Sequence, residues 1–127
     1  MRKELYSPLY KRYVKETYRK FARFKGYTSK ITDSFIEATA YLIADKNLPD
    51  RFKAHKIKRD IWELHLVSYN SDCLLVYAKR KIEDIPVLYI YAITDHNGLD
   101  RIVKLTSSME DNHDERTSQS IDSSLAD

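Results

Sequence analysis

Two apolar runs, CLLVYA at 73–78 and PVLYIYAI at 86–93, stand only seven residues apart. Neither alternates with polar residues, so each reads as a strand buried on both faces. The short link KIED makes the pair antiparallel neighbours. Just upstream, IWELHLV does alternate, with Trp62, Leu64 and Leu66 on one face and Glu63, His65 and Val67 on the other. The link SYNS is also short, so the three segments are expected to form an antiparallel meander.

The N-terminal third supplies the cover for that sheet. RKELY can form a short strand, and SPLYKRYVKETYRKF then reads as a helix. Ser7 is suited to cap it and Pro8 to open its first turn. Tyr10, Tyr13, Val14, Thr17, Tyr18 and Phe21 share one helical face, which reads as a core face rather than a platform for stacked bases. Gly26 is expected to end this helix. Thr28 or Ser29 is expected to cap a second, running to about Asp45 with Ile31, Phe35, Ala38 and Leu42 in line. NLPDRFKAHKIKRD then reads as a basic connector. Two helices in a hairpin on one face of a small, mainly antiparallel sheet make an α+β domain.

Charge divides the chain. Residues 107–127 carry six acidic side chains and one basic, so of the 22 basic and 19 acidic residues 21 and 13 fall in residues 1–106. The body is therefore +8 and the tail −5. This gives a domain over 1–106 and an acidic tail over 107–127 that is expected to be disordered. A basic body suits a polyanionic partner, nucleic acid or an acidic protein, but charge alone does not separate that from a solvated surface. No stretch approaches the roughly 18 apolar residues of a membrane span, and the N-terminus lacks an apolar signal region, so a cytoplasmic location without membrane contact is expected. The two glycines, Gly26 and Gly98, fit no phosphate-binding loop. The lone Cys73, inside an apolar run, reads as packing. The histidines lack the spacing of metal ligands, and no cofactor is expected.

One set of polar residues remains: His55 in the connector, His65 on the alternating strand, Asp72 at the head of the next strand, and His96 after the last. Arg51, Lys53, Lys56, Lys58 and Arg59 lie around them in sequence. RNA cleavage by transesterification needs a base for the 2′-OH, an acid for the departing 5′-oxygen, and cations for the charge between them. Imidazole can fill either proton role near neutral pH without a metal. Taken singly, each histidine reads equally as a surface or hydrogen-bonded residue, and spacing leaves both readings open.

With LYSPLYKRYVKETYRKF, LPDRFKAHKI, WELHLVSYNSDCLLVY and YAITDHNGLDR in this order, the chain resembles the YafQ branch of the RelE/ParE toxins of bacterial toxin–antitoxin modules. The resemblance spans about residues 4–101. It implies a RelE-like fold and a ribosome-dependent mRNA endonuclease, silenced by a cognate antitoxin through which alone it meets operator DNA. By position it makes His96 the principal proton-transfer residue, with His65, Asp72 and His55 supporting it. The basic connector and Arg80 become candidate contacts to phosphate and ribosomal RNA. Three positions depart from the family pattern. Cys73 replaces a tryptophan and so removes a possible stacking surface, Thr94 replaces a glycine, and Asp100 replaces an aromatic residue. Asp95, next in sequence to His96, would favour its imidazolium. The alternative is a catalytically degenerate RelE-fold protein that only binds its antitoxin, with a ParE-like gyrase inhibitor behind it.

Overall fold

The computed structural model describes residues 1–67 and 70–113, with backbone alone at 70, 71 and 107–113. The order is β1 (Lys3–Tyr6), α1 (Tyr10–Phe21), α2 (Tyr27–Ile43), a 3₁₀ turn (Asp50–Phe52), β2 (His55–Lys58), β3 (Ile61–Val67), β4 (Asn70–Ile82), β5 (Ile85–Thr94) and α3 (His96–His113). The sheet has the strand order β1-β5-β4-β3-β2. β1 runs parallel to β5, and every other pairing is antiparallel. The expected α+β architecture and meander are present. The connector holds a fifth strand, β2, that its polar sequence did not signal. All four of its residues are exposed, so burial imposes no apolar pattern on them.

The sheet is covered on both faces. Cys73, Leu75 and Tyr77 of β4 face one core with Phe21 of α1 and Ile31, Ala38 and Leu42 of α2. Leu74, Val76 and Ala78 face the other, with Tyr89 and Tyr91 of β5 and Leu99 and Ile102 of α3. Two irregularities shift the alternation. Between His65 and Val67 the β3–β4 ladder slips, so Val67 joins Leu64 and Leu66 in the first core instead of sharing the face of His65. On β5, Tyr77 pairs with Ile90 and Val76 with Ala92. Tyr91 is the extra residue of a bulge, and Tyr91 and Ala92 both enter the second core.

The helix ends differ from the expected ones. Ser7 does supply its hydroxyl, which accepts the Leu9 N–H at 3.1 Å, but in a turn that precedes the first helical residue, Tyr10. Gly26 opens α2 rather than closing α1. Its φ of 78° lies in the left-handed region that glycine adopts without strain, and its carbonyl accepts from Lys30 at 3.1 Å. Between the helices, Phe21, Phe24 and Tyr27 pack ring against ring, with centroids 5.0–6.3 Å apart.

After β5 the chain starts α3 at once. Asp95 caps it: its Oδ1 accepts the Gly98 N–H and its carbonyl accepts the Leu99 N–H, both at 2.9 Å. Leu99 and Ile102, three residues apart, then turn onto the sheet. The helix continues past residue 106 to His113, while 114–127, the rest of the acidic tail, and 68–69, within the SYNS link, lie outside the described residues. The first turn of α3 lies hard against the end of β5. A Cβ on Gly98 would fall 1.9 Å from Thr94 Oγ1 and 2.9 Å from Thr94 Cβ. Gly98→Ala should therefore destabilise the fold by about 1–3 kcal/mol, the usual range for overpacking. Urea unfolding should show a lower midpoint at unchanged slope, and an unchanged midpoint would mean that α3 docks more loosely than this contact implies.

Candidate active site

Sheet register gathers the polar residues. His55 of β2 pairs with Glu63 of β3, and His65, two residues along the same strand, pairs with Leu74 of β4. Leu74 in turn pairs with Thr94 of β5. Cross-strand partners point to the same side, as do residues two apart. His55, Glu63, His65 and Asp72 thus share the face that α3 covers in part, and His96 is the first residue of α3. The β3–β4 ladder closes at Val67 and Asn70, between His65 and Asp72.

His96 and Asp72 form a dyad. Asp72 Oδ1 accepts both the His96 backbone N–H at 2.9 Å and ring Nδ1 at 2.8 Å. Asp72 Oδ2 accepts from Lys20 Nζ at 3.1 Å. Burial pushes the Asp72 carboxyl up, but the bonds from His96 and Lys20 outweigh it and hold the group at about 2. The carboxylate is therefore ionised at neutral pH and can only accept. That fixes the proton of the neutral ring on Nδ1 and leaves Nε2 as the reactive nitrogen. The ring is 51% exposed, and Nε2 has no partner among the described residues.

The other two histidines differ from it. Both ring nitrogens of His55 are engaged, Nε2 with Glu63 Oε1 at 2.7 Å and Nδ1 with the Lys53 carbonyl at 3.1 Å. His55 is thus held in place and suited to orienting rather than moving protons. His65 is half-buried. Burial lowers its pKa, Glu63 opposes that, and the charges of His55, Lys53 and His96 lower it further. This favours the neutral imidazole, the form able to accept a proton.

Several expectations need correction. Asp95 is not the ring's carboxylate: its side chain caps α3 and takes Lys20 at 3.0 Å, and Asp72 takes the ring instead. Cys73 points to the opposite face and is fully buried in the α1–α2 core, where burial pushes its thiol up to about 12. A residue there offers no stacking surface on the His96 side. Arg80 is not a surface contact. It is 8% exposed, donates to Asp60 at 2.9 Å and to the Tyr91 hydroxyl, and lies over the Tyr89 and Tyr91 rings. Arg51 is exposed but ion-paired to Glu37. Lys53, Lys56, Lys58 and Arg59 are exposed around β2. Lys56, opposite Trp62, belongs to the face turned away from the histidines. Asp100 is exposed on α3.

Two residues of the cluster were not singled out from sequence: Lys20 and Glu63. Glu63 had a signal, since its strand parity is that of His65. Lys20 had none, because it lies 52 and 75 residues from its two partners.

Asp72 also makes stability depend on acid. Its folded pKa is depressed from 3.8 to about 2, so its contribution is complete above about 3.8 and is lost as pH falls towards 2. Thermal melts of wild type and Asp72→Asn between pH 5 and 2 (roughly, to bracket that window) should converge at the acid end. Curves that stay parallel would contradict the dyad.

No family model and no curated protein matches the sequence. Among solved structures, the chain is similar to a chain of the E. coli DinJ–YafQ complex, with TM-score 0.56 and 18% identity over 78% of this chain and 98% of that one. It is also similar to a metal-bound toxin from Helicobacter pylori, with TM-score 0.59 and 20% identity over 78% and 99%. Among the described residues, no group of three or more His, Cys, Asp or Glu is placed to hold a metal, and no helix is long and apolar enough to cross a membrane. At these identities the likeness is one of fold, and the fold is RelE-like, as the sequence resemblance implied.

Proposed function

We propose that the chain is the toxin of a type II toxin–antitoxin module, and that it cleaves mRNA on the ribosome by metal-independent 2′-OH transesterification. The observation that carries this reading is the His96–Asp72 dyad at 2.8 Å, with a half-exposed ring whose Nε2 is unengaged among the described residues. A carboxylate accepting from Nδ1 holds the ring in one orientation whether or not Nε2 bears a proton. As the imidazolium, His96 then gives its Nε2 proton to the departing 5′-oxygen and is left as the neutral Nδ1–H ring. His65, in its neutral form, takes the proton of the 2′-OH, and the 2′-oxygen attacks phosphorus to leave a 2′,3′-cyclic phosphate. His55, anchored by Glu63 and Lys53, orients the substrate. Lys53, Lys58 and Arg59 supply positive charge near the phosphate track.

A RelE-like fold and a body charge of +8 support an acidic antitoxin as partner, and the E. coli neighbour is itself part of a two-protein complex. Ribosome and mRNA are the other partners, and operator DNA is reached through the antitoxin complex.

Primer extension on mRNA from translating ribosomes tests the reading. Wild type should give discrete cuts ending in 2′,3′-cyclic phosphate. His96→Ala should lose about 10²–10⁴ of the rate, the range of one general acid, with its melting temperature near that of wild type. Uncut message with folded, ribosome-bound wild type would replace this reading with the binding-only one.

A further inference from the structure

We infer that Lys20, on α1, is a positioning residue for His96: its ammonium clamps together the carboxylate that holds the ring and the carboxylate that caps the helix carrying it. The inference rests on the reading of His96 as the proton-transfer residue.

Lys20 lies in the last turn of α1, where a cation suits the helix dipole. Its Nζ reaches Asp72 Oδ2 at 3.1 Å and Asp95 Oδ2 at 3.0 Å. The two carboxylates divide their oxygens in the same way. Asp72 gives Oδ1 to the His96 backbone and ring, and Oδ2 to Lys20. Asp95 gives Oδ1 to the Gly98 N–H that begins α3, and Oδ2 to Lys20. The terminal torsion of an aspartate is broad, so a carboxylate held by one oxygen can pivot. One held by both cannot. Lys20 supplies the second hold in each case, and so fixes both the ring and the start of its helix from a third element.

Electrostatics agrees with this geometry. Without the ammonium the two carboxylates would face one another as like charges, and the charge of Asp72 already acts against ionisation of Asp95. Burial works against the charge on Lys20, but its bonds to Asp95 and Asp72 prevail and its pKa is raised. Lys20 is 43% exposed, and ion pairs this open to solvent add little to stability. Its effect should therefore fall on the orientation of the ring and not on the fold.

The experiment compares wild type, Lys20→Met, Lys20→Gln and Lys20→Arg in the full chain. Nitrogen-15 NMR of the His96 ring reports which nitrogen bears the proton in the neutral form, and the ribosome assay gives kcat and KM. Wild type should show the Nδ1–H form. Lys20→Met and Lys20→Gln should show a mixture of the two forms, and kcat should fall about tenfold at unchanged KM, the pattern of misplaced chemistry rather than lost binding. Lys20→Arg should restore both. An unchanged ring in folded Lys20→Met overturns the inference. If cleavage falls there while the ring is unchanged, Lys20 touches RNA directly and the inference also fails. Loss of fold in both neutral variants would make Lys20 a structural residue and overturn it too. A ring that responds in a protein whose wild type never cuts RNA keeps the clamp and removes the nuclease reading.

Discussion

Everything in this molecule is arranged around the burial of β4 and β5 on both faces. Side chains 73–78 and 87–93 are almost wholly removed from water, and a sheet strand sheds water on both sides only when each side has its own layer. Two helices can cover one side. A third element is then a physical requirement, and α3 meets it, with Leu99 and Ile102 pressed on Leu74, Val76 and Tyr91. Placing that helix directly after β5 fixes where its first residue stands. His96 is at the sheet's end because the second face needed a cover and the chain begins it without a linker.

That requirement is visible in the sequence. Uniformly apolar runs at 73–78 and 86–93 demand two covering layers, yet the two helices read upstream put Phe21, Ile31, Ala38 and Leu42 in one core and only Tyr13 among the buried residues of the other. Leu99, Ile102, Val103 and Thr106 have helical spacing. The aspartate before them is a helix cap and the glycine in the first turn marks close approach to β5. The strands, the meander and the upstream helices were legible because periodicity records burial. β2 was not, since an exposed edge strand has no burial to record. The register slips near Val67 and at Tyr91 depend on pairing between strands and leave no local trace.

The histidines and Asp72 were legible as a list but not as a geometry. Strand parity places His65 with Glu63, and only the register adds His55 opposite them and Asp72 beside them. Counting cations proved a weaker guide than placing them. Arg80 and Arg51 spend their charge on Asp60 and Glu37, and Lys56 lies on the wrong face. Lys20, which no pattern distinguished from its neighbours on α1, meets two carboxylates from distant parts of the chain.

The same lysine settles a conflict in the electrostatics of the site. A histidine that must hold one orientation gains from a carboxylate behind it, and a helix start gains from another at its cap. Two anions side by side would, however, repel a phosphate approaching His96. Unit charges about 4 Å apart in water interact by about 1 kcal/mol, and by several times that at a half-buried site. Lys20 between Asp72 and Asp95 reduces their joint charge from −2 to −1 without releasing either bond that they make to α3. Arg101 and Glu16 both line the small cleft between α1 and the start of α3 that Lys20 and Asp95 share, so their charges offset one another there. On the proposed reading, the ring keeps its anionic support while Lys20 halves the negative charge beside it.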